Sequence, residues 1–170
     1  MKVPLVMLLF AATAIAQNAP SIPPACGADG VKFNVKTDKA QHPSVQPENG
    51  KAVVYFVQDD DSFEAHPRPT TRLGLDGSWV GANHGDSYFY ISVDPGEHHL
   101  CASPQSMLIG LSEPSAAHFT AESGKSYYFQ VRNSWSRDQG GMRVELLPLD
   151  SDEGQFLASR FAFSTSQPKN

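Results

Sequence analysis

The residues able to do chemistry in this chain are six histidines, a run of three aspartates and two cysteines. His98 and His99 are neighbours, so on a strand they point to opposite faces and cannot both meet one metal ion. A metal site would have to recruit His84 or His66 from loops. Together with His42 and His118 they read as ordinary imidazoles, and no cofactor is implied. Asp59-Asp60-Asp61 offers hard oxygens, but the spaced aspartates and distal glutamate of a calcium loop are missing. The run reads as a solvated loop. No Gly-x-Ser-x-Gly elbow is present, and neither cysteine carries the local signature of an active thiol. Glu113 with Glu122, or Asp86 with Asp94, are conceivable glycosidase pairs, although such pairs are commonplace in an acidic chain. On this reading the protein is not an enzyme, and a hydrolase ranks third among the alternatives.

The first residues carry an address. Lys2, the apolar run Val3–Ala12 and Ala14-Ile15-Ala16 have the form of a signal peptide cleaved before Gln17. The run falls short of the roughly 20 residues a membrane span needs, and Cys26 lies too far beyond the cleavage point to take a lipid. The expected compartment is outside the cytoplasm, periplasmic or extracellular. There Cys26 and Cys101 are expected to pair, closing a loop of about 75 residues worth on the order of 4.5 kcal/mol. Loss of Lys2 takes the net charge from −5 to −6, with the basic residues scattered singly. Binding to nucleic acid or to anionic lipid is therefore disfavoured, and no later segment is apolar enough to span a bilayer.

These residues must be positioned by strands. Residues 17–30 read as a flexible leader and 31–163 as the folded domain. Val31–Thr37 alternates apolar and polar, as a strand with one buried face does. Lys51–Gln58 is nearly all apolar and rich in β-branched and aromatic residues, the mark of a central strand covered on both faces. Asp76-Gly77 signals a hairpin between Thr70–Leu75 and Ser78–Ala82. Tyr88–Val93 sets Phe89, Ile91 and Val93 against Tyr88 and Tyr90. Pro95-Gly96 then turns the chain, as a corner or a loose hairpin, into Glu97–Ser103. Around Gly124 the apolar pattern selects a three-residue hairpin loop that pairs Phe119 with Tyr127. Met142–Leu149 is a further strand. Ser151 is the expected N-cap of a short helix to about Arg160, with Phe156, Leu157 and Phe161 facing the core. The polar tail 164–170 is expected to be disordered. Short strands with frequent turns describe an all-β, two-sheet, mainly antiparallel β-sandwich with a short C-terminal helix. Its expected core is Val53, Val54, Phe56, Phe89, Ile91, Leu100, Phe119, Phe129, Val131, Val144 and Leu146.

Gly50-Lys51-Ala52-Val53-Val54-Tyr55-Phe56, Tyr88-Phe89 through Pro95-Gly96-Glu97-His98-His99-Leu100, and Gly124-Lys125-Ser126-Tyr127-Tyr128 resemble the motifs of the bacterial exported domain-of-unknown-function family 2846. The resemblance runs from Gly50 to near Gln155. It implies an exported β-sandwich and brings no catalytic residues with it. Members often carry Arg after the first of these strands, where this chain has Asp59-Asp60-Asp61.

Aromatic residues supply the remaining candidates for function. Trp79, Tyr88, Tyr90, Tyr128 and Trp135 are the candidate binding surface, the tyrosines lying opposite the apolar stripes of their strands. The favoured function is a non-catalytic exported module that binds a protein or an envelope component. A carbohydrate-binding module is the alternative.

Overall fold

The computed structural model describes residues 23–43, 45–61, 63, 67–105, 113–136 and 141–169. The expected signal peptide and residues 17–22 of the leader lie outside the described residues, as does His66. Ten strands and one helix follow in chain order: β1 Phe33–Asp38, β2 Ala52–Asp59, β3 Thr70–Leu75, β4 Ser78–His84, β5 Ser87–Val93, β6 Gly96–Pro104, β7 Ser115–Ala121, β8 Ser126–Ser136, β9 Gly141–Leu149, α1 Ser151–Arg160 and β10 Ala162–Pro168. They form a β-sandwich of a six-stranded sheet, in the order β1-β10-β5-β2-β8-β9, and a four-stranded sheet, β4-β3-β6-β7. Pairing is antiparallel except between β10 and β5 and between β2 and β8.

Strand β2 is the axis of the structure. Ala52 to Gln58 are all buried, so both faces need cover. Val54 and Phe56 face the four-stranded sheet and pack with Leu73, Phe89, Leu100, Phe129 and Val131. Val53, Tyr55 and Val57 point the other way, into a second cluster with Tyr88, Tyr128 and Phe161 beneath α1. Each large apolar side chain so buried contributes about 1.5–3 kcal/mol. All the expected core residues lie in these clusters, Ile91 and Phe119 only partly buried.

The turns follow their chemistry. Asp76 and Gly77 both have positive φ, 48° and 84°, the two-residue hairpin turn that matches strand twist. Pro95-Gly96 is a corner: β5 belongs to one sheet and β6 to the other. The three-residue hairpin expected around Gly124 does not form as a ladder. Gly124 is left-handed, with φ 79°, but β7 pairs with β6 while β8 pairs with β2 and β9. Phe119 and Tyr127 still meet, ring centroids 5.0 Å apart, across the sandwich and not within one sheet. An apolar alternation is satisfied equally by either arrangement.

Two further expectations are corrected. The tail expected to be disordered from residue 164 instead continues the strand β10, between β1 and β5. Its hydroxyls are used: Ser164 Oγ donates to the Ala82 carbonyl (3.1 Å) and Ser166 Oγ accepts from the Ala82 N–H (3.0 Å). A polar strand can therefore lie within the six-stranded sheet and face β4 of the other. Helix α1 is capped by Asp150 and not Ser151, Asp150 Oδ1 accepting from the N–H groups of Asp152 and Glu153. Phe156 is 56% exposed, while Leu157 and Phe161 face the core as expected.

Gly154 is where α1 lies closest to the sheet, and a Cβ there would overlap the ring and Cβ of Tyr128. Gly154→Ala normally strengthens a helix by up to about 1 kcal/mol. Here the overlap should reverse the sign and destabilise by about 1–3 kcal/mol. Urea unfolding of the variant checks this, and a stabilised protein would contradict the close approach.

Candidate functional site

The outer face of the four-stranded sheet is assembled around the disulfide. Leu100 and Ala102 of β6 point inward, which turns His99 and Cys101 outward. Cys101 meets Cys26 there, with Cα atoms 5.1 Å apart, so the expected bond is present. It fastens the stretch before β1 across the sheet. The approach is close because Gly74 has no side chain: a Cβ there would lie 2.9 Å from the Ala25 carbonyl oxygen and 3.3 Å from Cys26 Cα. Trp79 closes the other flank, donating from Nε1 to the Ala28 carbonyl (2.8 Å) beneath the Arg72 guanidinium. Residues from Pro23 onward are thus docked, where a flexible leader was expected to continue to Gly30.

Beside this strap a cleft of about 470 Å³ opens between Pro23, Pro24 and Ala25 on one side and His99, Ala116 and His118 on the other. A second cleft of about 440 Å³ lies on the opposite face of β7, between the sheets, lined by Ala117, Phe119, Tyr127, Phe129, Pro148 and Leu149. β7 is the terminal strand of its sheet. The direction of its free backbone groups follows from His99, whose N–H donates to Asp76 Oδ1 (2.8 Å) and whose carbonyl accepts from the Asp76 N–H (2.9 Å). Both His99 backbone groups therefore face β3. The opposing pair His99–His118 is the non-hydrogen-bonded kind. By the same alternation Ala116, His118 and Thr120 turn their N–H and C=O groups to the open edge, while Ala117 and Phe119 bond to β6.

The aromatic residues expected to form one surface are divided among three places. Tyr88, Tyr90 and Tyr128 do come together, Tyr55 stacking on Tyr128 with centroids 4.6 Å apart, but α1 lies over them. Tyr88 is 1% exposed and Tyr128 7%. Burial, with Tyr55 and Tyr90 nearby, pushes the Tyr88 hydroxyl up to about 12. A crevice of about 210 Å³ between His42, Pro43 and the helix reaches these rings. Trp79 belongs to the disulfide face. Trp135 is 36% exposed near the end of β8. Tyr88 and Tyr128 are therefore core residues, and replacing them by Ser would unfold the protein before it could test a surface.

The acidic run is also not wholly solvated. Asp60 is fully buried, accepting from Gln58 Nε2 (2.7 Å) and Asn133 Nδ2 (2.8 Å). Burial raises its carboxyl above the usual range, the two amides opposing. Carboxylate oxygens of Asp59, Asp61 and Asp86 lie within 4.8 Å of one another, but Arg68 pairs with Asp86 and Gln130 Nε2 donates to Asp59. Asp86 and Asp94 sit at opposite ends of β5, roughly 26 Å apart along an extended strand. Glu113 and Glu122 flank β7 in the same way. Neither pair has the roughly 5–9.5 Å separation a glycosidase needs.

A model of proteins of unknown function, DUF2846, matches residues 48–142, more than half of the chain, and the chain belongs to this family. No curated protein matches it. The match includes β6 and β7 and leaves Cys26 outside. Among the described residues no helix is long and apolar enough to cross a membrane.

His98 fixes the corner where β6 begins. Its Nδ1 lies 2.7 Å from Asp76 Oδ2 and its Nε2 2.7 Å from the Asp94 carbonyl. A neutral imidazole has one N–H, so two acceptors select the doubly protonated ring. Burial opposes the charge, but the Asp94 carbonyl and the Asp76 carboxylate prevail and raise its pKa. A raised histidine stabilises fully below its unfolded value, near 6.5, and loses that contribution as pH rises through the folded value. His98→Gln should therefore cost stability at pH 6, about 1 kcal/mol or less for a partly exposed ion pair, and cost less at pH 9. Unfolding at the two pH values measures it, and an equal cost at both would contradict the charged assignment.

Proposed function

We propose that this DUF2846 member is an exported, non-catalytic module that holds an extended segment of another protein by strand addition at β7. The carrying observation is that, among the described residues, β7 presents three residues of unpaired backbone with a cleft on each face. An added strand needs this combination: main-chain hydrogen bonds give affinity, and alternate side chains fill pockets on the two sides. One set would enter the apolar cleft between the sheets, the other the cleft beside Pro23–Ala25. The exposed edge also lacks the lysines and prolines that guard edges meant to stay empty. Export is supported by Ala14-Ile15-Ala16 with its apolar run and by the disulfide, which persists in oxidising compartments. The carbohydrate reading has lost its tyrosine platform to α1.

Thr120→Pro removes an edge-facing N–H while leaving the β6 ladder intact. A photo-crosslinking residue at Ala116 should trap a partner polypeptide from the organism's envelope fraction. The same residue at Lys36 of β1 should not. Thr120→Pro in the Ala116 background should lower the yield at least about tenfold, the loss of two hydrogen bonds at about 1 kcal/mol each with the strand displaced. An equal yield with and without the proline would overturn strand addition.

A further inference from the structure

Beyond strand addition, the outer face of β6 and β7 carries two imidazoles and a carboxylate with no structural task. His99 and His118 stand directly opposite each other. Because both His99 backbone groups face β3, this is the narrow pair of the antiparallel ladder, with Cα atoms roughly 4.5 Å apart. The ring centroids are 6.3 Å apart and the planes inclined by 36°. Glu97 lies two residues before His99 and so on the same face, its Oε1 3.8 Å from His99 Nε2. Among the described residues no hydrogen bond holds either ring in place. His98, the neighbour, is turned to the other face and committed to Asp76 and Asp94.

Two imidazoles and one carboxylate are the donors preferred by divalent ions of borderline softness, whereas calcium and magnesium take oxygen alone. With metal–nitrogen bonds of about 2.0–2.1 Å, two rings sharing one tetrahedral ion have centroids roughly 5 Å apart. The present 6.3 Å closes to that by rotating two exposed side chains, and the sheet itself need not move. We propose that His99, His118 and Glu97 form a site for a single divalent transition ion, copper or zinc, with solvent completing the coordination. Bound there, the ion would cross-link β6 to the edge strand β7 on the face where the disulfide already ties β6 to Cys26. Ligation requires neutral imidazoles, so acidification releases the ion.

The test is titration of the purified protein, free of any added histidine tag, with Cu²⁺, Zn²⁺ and Ca²⁺. One equivalent of Cu²⁺ or Zn²⁺ should bind, copper more tightly as the ligand-field order requires, and Ca²⁺ should not compete. Bound Cu²⁺ should broaden the NMR signals of His99 and His118 and spare those of His84. His118→Asn and His99→Asn should each weaken copper binding at least about tenfold, since even a supporting partner of a ligand is commonly worth 10–100-fold. Glu97→Gln should weaken it less. Both histidines are exposed, so the two variants should unfold like the parent, and either alone suffices. Absence of one-to-one binding below about 1 mM, an affinity unchanged by both histidine variants, or broadening centred on Asp59, Asp61 and Asp86 would overturn the site.

Discussion

Because Ala52 to Gln58 are buried without interruption, β2 can exist only where something covers each of its faces. On one side the cover is the four-stranded sheet, reached through Val54 and Phe56. On the other it is α1, laid over Tyr55 and Tyr128 at Gly154. The aromatic rings expected to face solvent are used in this second task. What remains for recognition is decided by what β2 does not need.

The strand least needed by β2 is β7, since β6 supplies the buried Leu100 and Ala102 to the cover of Val54 and Phe56. The corner at Pro95-Gly96 carries the chain out of the six-stranded sheet, and the turn at Gly124 brings it back. Between these two crossings β6 finds β3, but among the described residues β7 has a strand ladder with β6 alone and meets β9 only at its start, where the Leu146 N–H donates to Ser115 Oγ. Its inward residues Ala117 and Phe119 reach the core from one side and stay half-buried. An edge with incomplete cover and open backbone groups is a standing site for another strand. The disulfide adds to this by holding Pro23–Ala25 as a wall beside the edge, so that both faces of β7 are pocketed.

Much of this was legible in the residues. The uninterrupted apolar run of β2 announces cover on both faces, Asp76-Gly77 announces its hairpin, and the alternation around Leu100 turns Cys101 toward Cys26. Four features were not. The Phe119–Tyr127 contact was read correctly as proximity but wrongly as a ladder, because alternation says which face is apolar and nothing about which sheet supplies the partner. β10 was hidden because Ser164 and Ser166 satisfy their hydroxyls on the backbone of β4, which no local pattern reports. The opposition of His99 and His118 depends on the register of β6 against β7, and the long connection between them leaves that register unspecified by turn chemistry. Tyr88 looked exposed because the helix that covers it comes some sixty residues later.

The account stands on the edge of β7 being open in the isolated protein. Amide hydrogen exchange reads this directly, residue by residue. The N–H groups of His118 and Thr120 should exchange quickly, while those of Ala117 and Phe119, bonded to β6, should be protected by orders of magnitude. That alternation within a single strand is the expected result. Uniform protection along Ala116–Thr120 in dilute protein would mean the edge is already paired, and would contradict the account.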